Sequence, residues 1–182
     1  MQKKITELHV LVHPHFLMAH HSPESVKVFG RRSSEFSAVK SRKATLALVR
    51  NMLRLTEATP EYAIARQETI DRMYKNSIKR ISKTPGAHLV ILKSRANLDP
   101  ESLESRLIDF ARKRLGKRVL IIGSNPSVAG RHILLKLPSA KFVPVKVFGE
   151  WTDHCVSSAA NSLRYLGFYD VAVIKEKSVK GP

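Results

Sequence analysis

The chain alternates short apolar runs with segments of helical spacing, and this alternation most restricts the fold it can adopt. Runs rich in Val, Ile and Leu predict five strands, at 8–12, 88–92, 118–122, 142–148 and 171–174. Apolar residues at helical spacing predict helices at about 34–57, 59–81, 99–115, 127–137 and 153–166. Strands that alternate with helices predict an α/β fold: a mainly parallel sheet with helices on both faces, in three layers of Rossmann-like type.

The length of the chain predicts one domain, because 182 residues suffice for a single core of ordinary size. The two helices expected after the first strand form an insertion at 34–82, which is interpreted as a helical hairpin or cap. Pro144 lies within the fourth predicted strand and therefore favours an edge position or a local distortion. Residues 175–182 are predicted to be a polar, basic tail.

The composition argues against a membrane or secreted protein. No apolar run approaches the roughly 20 residues that a spanning helix requires. The first residues lack the longer apolar core of a secretory signal. The single cysteine, Cys155, permits no internal disulfide, so we expect a cytoplasmic protein. No motif in the chain indicates a cofactor.

The net charge of +17 is large for a chain of this size and indicates an anionic partner. Segment 27–54 is strongly basic and has Glu35 as its only acid. Its candidate nucleic-acid-binding residues are Arg31, Arg32, Arg42, Lys43, Arg50 and Arg54. The alternative is the solvated face of an amphipathic helix pair. Aromatic residues are sparse among these charges, which gives base stacking little support.

Cys155 lies where a nucleophile would be positioned. It follows the fourth predicted strand and precedes a predicted helix, in the order strand, tight turn, helix. Unpaired amides and the helix dipole at such a site favour the thiolate, which is the reactive form of cysteine. The alternative is a small buried side chain that packs the helix onto the sheet, as free cysteines often do.

The segment Gly149-x-x-Thr152-Asp153-x-Cys155-Val156 resembles the nucleophile segment of the isochorismatase-like cysteine hydrolases, which include nicotinamidases and pyrazinamidases. Ala159-Ala160 and Leu166-Gly167-Phe168 extend the resemblance, which covers roughly residues 145–175. The resemblance implies that a cysteine thiolate attacks an amide or ester carbonyl, while an aspartate after the first strand acts as general base and a lysine assists by charge. Turn amides hold the oxyanion.

Carried onto this chain, the resemblance makes Cys155 the nucleophile and Thr152, Asp153 and His154 the oxyanion turn. His13 and His15 stand where the family has its aspartate, and a histidine is chemically able to accept the thiol proton. The alternative is that both are loop histidines without a role. Lys93 and Lys136 are the two candidates for the family lysine.

Two further features suggest ligands. Ser124, Asn125 and Ser127 follow a buried strand and open a helix, so their backbone amides are candidates for binding an anion, although most such turns are only turns. His13, His15, His20 and His21 cluster within nine residues, but their spacing matches no closed zinc pattern, so no metal site is assigned.

The resemblance therefore implies a divergent isochorismatase-like hydrolase that acts on a small amide or ester through Cys155. The alternative is a non-enzymatic basic α/β module that binds nucleic acid or another anionic partner. The sequence leaves open whether the protein is a homo-oligomer.

Overall fold

The computed structural model describes residues 4–15, 60–93, 103–150 and 152–179, which form a five-stranded parallel sheet flanked by helices. In chain order the elements are β1 (Glu7–Val12), α1 (Pro60–Lys83), β2 (Ala87–Lys93), α2 (Leu103–Leu115), β3 (Val119–Gly123), α3 (Ala129–Lys136), β4 (Val145–Gly149), α4 (Ser157–Tyr165) and β5 (Val171–Val173). The predicted α/β fold is confirmed. The helix predicted at 34–57 lies outside the described residues. Among the helices that are described, none is long and apolar enough to cross a bilayer.

The strand order is β3-β2-β1-β4-β5, and every neighbouring pair is parallel. From β1 the chain builds the sheet outward through β2 to β3, and then returns to the other side of β1 for β4 and β5. The direction of winding therefore reverses between β1 and β4. In open parallel sheets, ligands bind at the carboxyl ends of the strands beside such a reversal. We name this side of the sheet the carboxyl edge and the opposite side the amino edge.

The two faces of the sheet carry separate apolar cores because side chains alternate along each strand. In β1, Leu8, Val10 and Val12 pack with α3 and α4, whereas Leu11 packs with α1 and α2. The helices meet these faces through apolar residues at helical spacing. Buried examples on α1 are Ile70, Tyr74, Ile78 and Ile81.

Two predictions about the second half of the chain were wrong. Strand β4 is internal, between β1 and β5, and Pro144 precedes its first residue. The missing proline N–H therefore falls outside the β4 ladder, while the Pro144 carbonyl accepts a 2.9 Å hydrogen bond from the Leu8 amide.

Residues 175–179, the described part of the predicted tail, instead return to the sheet. The Val179 amide donates to the Gly149 carbonyl at 2.8 Å, and the Val179 carbonyl accepts from the Thr152 amide at 3.1 Å. Val179 is buried as a result. The return segment therefore covers the carboxyl end of β4, next to the turn that carries Cys155.

Candidate functional site

Cys155 lies on a tight turn at the carboxyl edge. Thr152–Val156 form a single π-helical turn that follows β4, and α4 begins at Ser157. The Ser157 hydroxyl donates to the Thr152 carbonyl at 2.7 Å and fixes the junction between this turn and α4. The predicted order of strand, turn and helix is confirmed. Cys155 is half-buried and packs against the apolar core beneath α3 and α4.

Glu150 is the acidic residue that the sequence analysis missed. It follows β4 directly, and only 1% of its surface is exposed. Its Oε1 atom accepts a 2.7 Å hydrogen bond from the backbone amide of His15, which follows β1. The carboxylate therefore joins the two strand ends at which the winding reverses. The sequence did contain a signal for this residue, because Glu150 directly follows the apolar strand β4. The residue after a parallel strand lies at the carboxyl edge of the sheet, where ligands bind.

The electrostatic environment of Cys155 is opposite to the predicted one. Burial raises the pKa of the Cys155 thiol, and the negative charge of Glu150 raises it further. The expected lowering of the pKa is therefore wrong, because burial and the neighbouring carboxylate outweigh the dipole of the short helix. The negative charge of Glu150 therefore acts against the thiolate form of Cys155.

His15 does not reach Cys155 with its ring. The ring packs edge-on against Tyr74 of α1, with 5.6 Å between ring centres. Its Nε2 atom is 3.4 Å from Oδ1 of Asp71, a separation long for a hydrogen bond, so we treat the contact as electrostatic. Tyr74 belongs to the core under α1 and α2, whereas Cys155 belongs to the core on the other face. The hydrogen bond from His15 to Glu150 is donated by the backbone amide of His15.

His13 remains a candidate. It is buried, and its backbone has a φ of 45°, in the left-handed region. Burial lowers the pKa of the His13 imidazole, while a hydrogen bond to the main chain of Ser124 partly opposes that shift. The turn after β3 packs against the Thr152–Val156 turn. His13 therefore lies on the part of the carboxyl edge that the Cys155 turn shares with the turn after β3.

The two candidate lysines lie at opposite ends of the sheet. Lys93 is the last residue of β2, which neighbours β1, so it lies at the carboxyl edge. Lys136 is the last residue of α3 and is exposed. Since α3 runs from the carboxyl edge to the amino edge, the assignment of Lys136 to the site is wrong. Lys93 is the lysine that the fold brings to the same edge as Cys155.

The predicted anion-binding turn is closed by its own side chains. Oδ1 of Asn125 accepts hydrogen bonds from the amide of Ser127 at 3.0 Å and from its hydroxyl at 2.9 Å. The Ser124 hydroxyl donates to the Asn125 carbonyl at 3.0 Å. This arrangement caps the following helical turn, so Ser127 offers neither its amide nor its hydroxyl proton to an anion.

The oxyanion turn also offers fewer backbone amides to a substrate than predicted. The Thr152 amide donates to Val179, so it is not available to a substrate oxygen. Asp153 and His154 are exposed on the same turn and remain the candidates for this role, together with the amide of Cys155.

Other predicted residues are not brought into the site by the described structure. Within the residues described, no group of three or more His, Cys, Asp or Glu side chains is able to hold a metal ion. His20 and His21 lie outside those residues. The six basic candidates for nucleic-acid binding also lie outside them: Arg31, Arg32, Arg42, Lys43, Arg50 and Arg54.

No protein-family model, curated protein or solved structure matches the chain. The features that bear on its chemistry are the Cys155 thiol, the buried Glu150 carboxylate whose charge raises the pKa of that thiol, and His13 and Lys93 at the same edge of the sheet. A nucleophile and a proton acceptor at the reversal of a parallel sheet are able to perform acyl transfer.

Proposed function

We propose that the protein is a divergent isochorismatase-like hydrolase that cleaves a small amide or ester through Cys155. The observation that carries the proposal is the electrostatic action of the buried Glu150 carboxylate on the Cys155 thiol. The family to which the turn is similar has a carboxylate as its general base, at the end of the first strand. In this chain the base is supplied from the end of β4 instead.

The proposed reaction begins with the thiol in its protonated form. As the Cys155 sulfur attacks the substrate carbonyl carbon, its proton passes to the Glu150 carboxylate, and the carbonyl electron pair moves to the oxygen. When the tetrahedral intermediate collapses, the leaving amine or alcohol takes the proton from Glu150. Water then attacks the thioester, again assisted by Glu150, and releases the carboxylic acid and the free thiol.

The raised pKa of Cys155 is compatible with this order of events. A resting thiolate beside Glu150 would suffer the repulsion of two negative charges in a partly buried site. Transfer of the proton during the attack avoids that state, because the charge moves onto the substrate oxygen. The positive charge of Lys93 at the same edge, and the turn amides, are proposed to stabilise the oxyanion.

Hydrolysis is tested with 4-nitrophenyl acetate and a panel of small primary carboxamides. Replacement of Cys155 by serine, or of Glu150 by glutamine, is expected to lower kcat/KM by about 100-fold or more, since each removes a group that handles the proton or the bond. Glutamine keeps an oxygen that is able to accept from the His15 amide, so this hydrogen bond is retained.

Asp109→Asn is the matched control, because Asp109 is an exposed acid on α2 and takes no part in the proposed reaction. It is expected to retain activity close to that of the unmodified protein. No turnover of any of these esters or amides by the unmodified protein would refute the proposal, as would full activity in the Cys155→Ser variant.

The reactivity of the thiol gives an independent prediction. Alkylation of Cys155 by iodoacetamide is expected to increase with pH along a curve whose midpoint lies above that of free cysteine, because burial and Glu150 raise the pKa. Glu150→Gln is expected to move that midpoint down, so that alkylation near neutral pH becomes faster while hydrolysis becomes slower. An unchanged midpoint in Glu150→Gln would remove Glu150 from the proposed mechanism.

The alternative function is that of a non-enzymatic basic module, and it rests on the net charge of +17. Nucleic-acid binding that weakens with salt, that survives Cys155→Ser and that is lost when Arg50 and Arg54 are replaced by alanine would favour it.

A further inference from the structure

Three aromatic side chains are exposed to solvent at the amino edge, far from the proposed active site. Phe142 lies just before β4 and is 78% exposed, while Tyr169 lies just before β5 and is 62% exposed. Tyr165 ends α4 and is 91% exposed. The other Phe and Tyr residues whose side chains are described are buried or half-buried. We name Phe142, Tyr165 and Tyr169 the aromatic patch.

The backbone holds two members of the aromatic patch close together. The Tyr169 amide donates a 2.9 Å hydrogen bond to the carbonyl of Lys141, the residue before Phe142. The Lys141 side chain runs past Gly167, where a Cβ atom would be 3.5 Å from the lysine Cε. At that distance a Cβ atom would be in ordinary contact, so the Lys141 side chain lies beside Gly167. Lys141 therefore places a cation next to the segment that joins Tyr165 to Tyr169.

The edge that carries the aromatic patch is strongly basic. Because the described strands are all parallel, the four helices of the described residues end at the amino edge, and each has basic residues in its last turn. These residues are Arg80, Lys83, Arg112, Lys113, Arg114, Lys136 and Arg164. From Phe110 to Gly149 the chain has nine Lys and Arg residues and no Asp or Glu. Asp170 is the acid adjoining the patch in sequence.

The helix dipole explains only part of this arrangement. A basic residue in the last turn of a helix stabilises the partial negative charge there, which accounts for Lys136 and Arg164 one at a time. It does not account for exposed aromatic rings beside them. Burial would remove such rings from water, so three exposed aromatic side chains at one edge of the sheet point to an interaction surface there.

We propose that the amino edge binds single-stranded nucleic acid. Bases stack on Phe142 and Tyr169, with Tyr165 at the border of the surface. The side chains of Lys136, Lys141 and Arg164 neutralise backbone phosphates. Aromatic platforms within a positively charged surface are the arrangement by which proteins bind single strands with little sequence preference. A second copy of the chain is the less suitable occupant, because two such basic edges would repel each other.

This inference goes beyond hydrolysis and uses a different edge of the sheet, so either proposal can fail without the other. It also differs from the predicted nucleic-acid-binding residues at 31–54. The sequence alone gave stacking little support because Phe142, Tyr165 and Tyr169 are spread over 28 residues of sequence. Parallel topology brings the starts of β4 and β5 and the end of α4 to one edge.

The test is fluorescence anisotropy of the full chain with dye-labelled oligouridine and oligothymidine of about 15 nucleotides, a length within the usual site sizes of single-strand binders. The double variant Phe142→Ala, Tyr169→Ala is expected to bind about tenfold more weakly or worse, since stacking on each ring contributes to affinity. Lys141→Gln is expected to reduce the slope of log affinity against log salt by about 0.7. A tighter fit to one of the two oligomers distinguishes RNA from DNA as the ligand.

Val128→Ala is the matched control, because Val128 is 43% exposed but lies near the carboxyl edge, where α3 begins. It is expected to bind both oligomers like the unmodified protein, as is Cys155→Ser. Absence of binding would overturn the proposal. So would binding that the aromatic variant leaves unchanged, or that is lost only in Arg50→Ala, Arg54→Ala. An aromatic variant that changes sedimentation instead of binding would show that a second copy occupies the surface and would also overturn it.

Discussion

Replacing Gly149 by alanine is expected to destabilise the protein by about 4 kcal/mol, near the upper end of single-residue effects. Gly149 ends β4 with a φ of +143°, a conformation that residues with a Cβ rarely adopt. An added Cβ would lie 2.2 Å from the Val12 carbonyl oxygen and 2.7 Å from the Val12 amide nitrogen. These are backbone atoms of β1, so relief of the clash requires the two central strands to separate. Urea unfolding monitored by circular dichroism measures the loss.

Gly116→Ala is the matched control for backbone conformation without a clash. Gly116 has a φ of +56°, and a Cβ there would meet no atom within 4 Å. Its replacement is expected to cost about 1 kcal/mol, the strain of a left-handed conformation alone. If Gly149→Ala lowers the free energy of unfolding by no more than Gly116→Ala does, the close approach of β1 and β4 does not restrict position 149.

The sequence was sufficient to predict the layers of the fold, because the signal for each layer is local. The five apolar runs and the helical spacings between them occur within windows of 4 to 24 residues, and the ends of each described strand lie within three residues of their predicted positions. The prediction that Pro144 lies within an edge or distorted strand was wrong for a related reason. Local sequence shows that a proline cannot donate a hydrogen bond to a neighbouring strand, but it does not show that β4 begins at the next residue.

Features that depend on the pairing of distant segments were not predictable. The return of Val179 to Gly149 and Thr152 depends on where β4 and β5 end in space. The exclusion of Lys136 from the site likewise depends on the direction of α3 relative to the strands. A short apolar segment with a basic residue at its end is compatible with either edge of a sheet until the topology is known.

The sequence was sufficient to predict the position of Cys155 but not the pKa of its thiol. The turn after β4 places Cys155 at the carboxyl edge, as the strand, turn and helix pattern indicated. The pKa of the thiol, however, depends on burial and on Glu150, and both are properties of the folded environment. The contact of Glu150 with His15 spans 135 residues of sequence, so no local pattern reports it.

Acidification below neutral pH is expected to reduce the free energy of unfolding through His9 and His13. Burial lowers the pKa of both imidazoles below the value of 6.5 that an ordinary histidine has, although Glu7 opposes the shift at His9. As pH falls through 6.5, the unfolded chain takes up protons that the folded protein does not, so the unfolded state gains stability. The loss continues until the pH reaches the lowered pKa, at up to about 1.4 kcal/mol per pH unit for each residue. Urea unfolding at pH 7.5, 6.5 and 5.5 measures the slope.

The double variant His9→Gln, His13→Asn is expected to show a shallower slope over the same pH range, whatever its stability at pH 7.5, because neither replacement titrates. Asparagine suits position 13, where φ is 45°, since it tolerates the left-handed region better than most residues. His132→Asn is the matched control, because it removes an exposed histidine from α3 and leaves the two buried imidazoles in place. A slope that persists in the double variant would assign the acid sensitivity to other groups. If the slope disappears, the pH dependence of stability comes from these two buried imidazoles, which the folded protein keeps neutral.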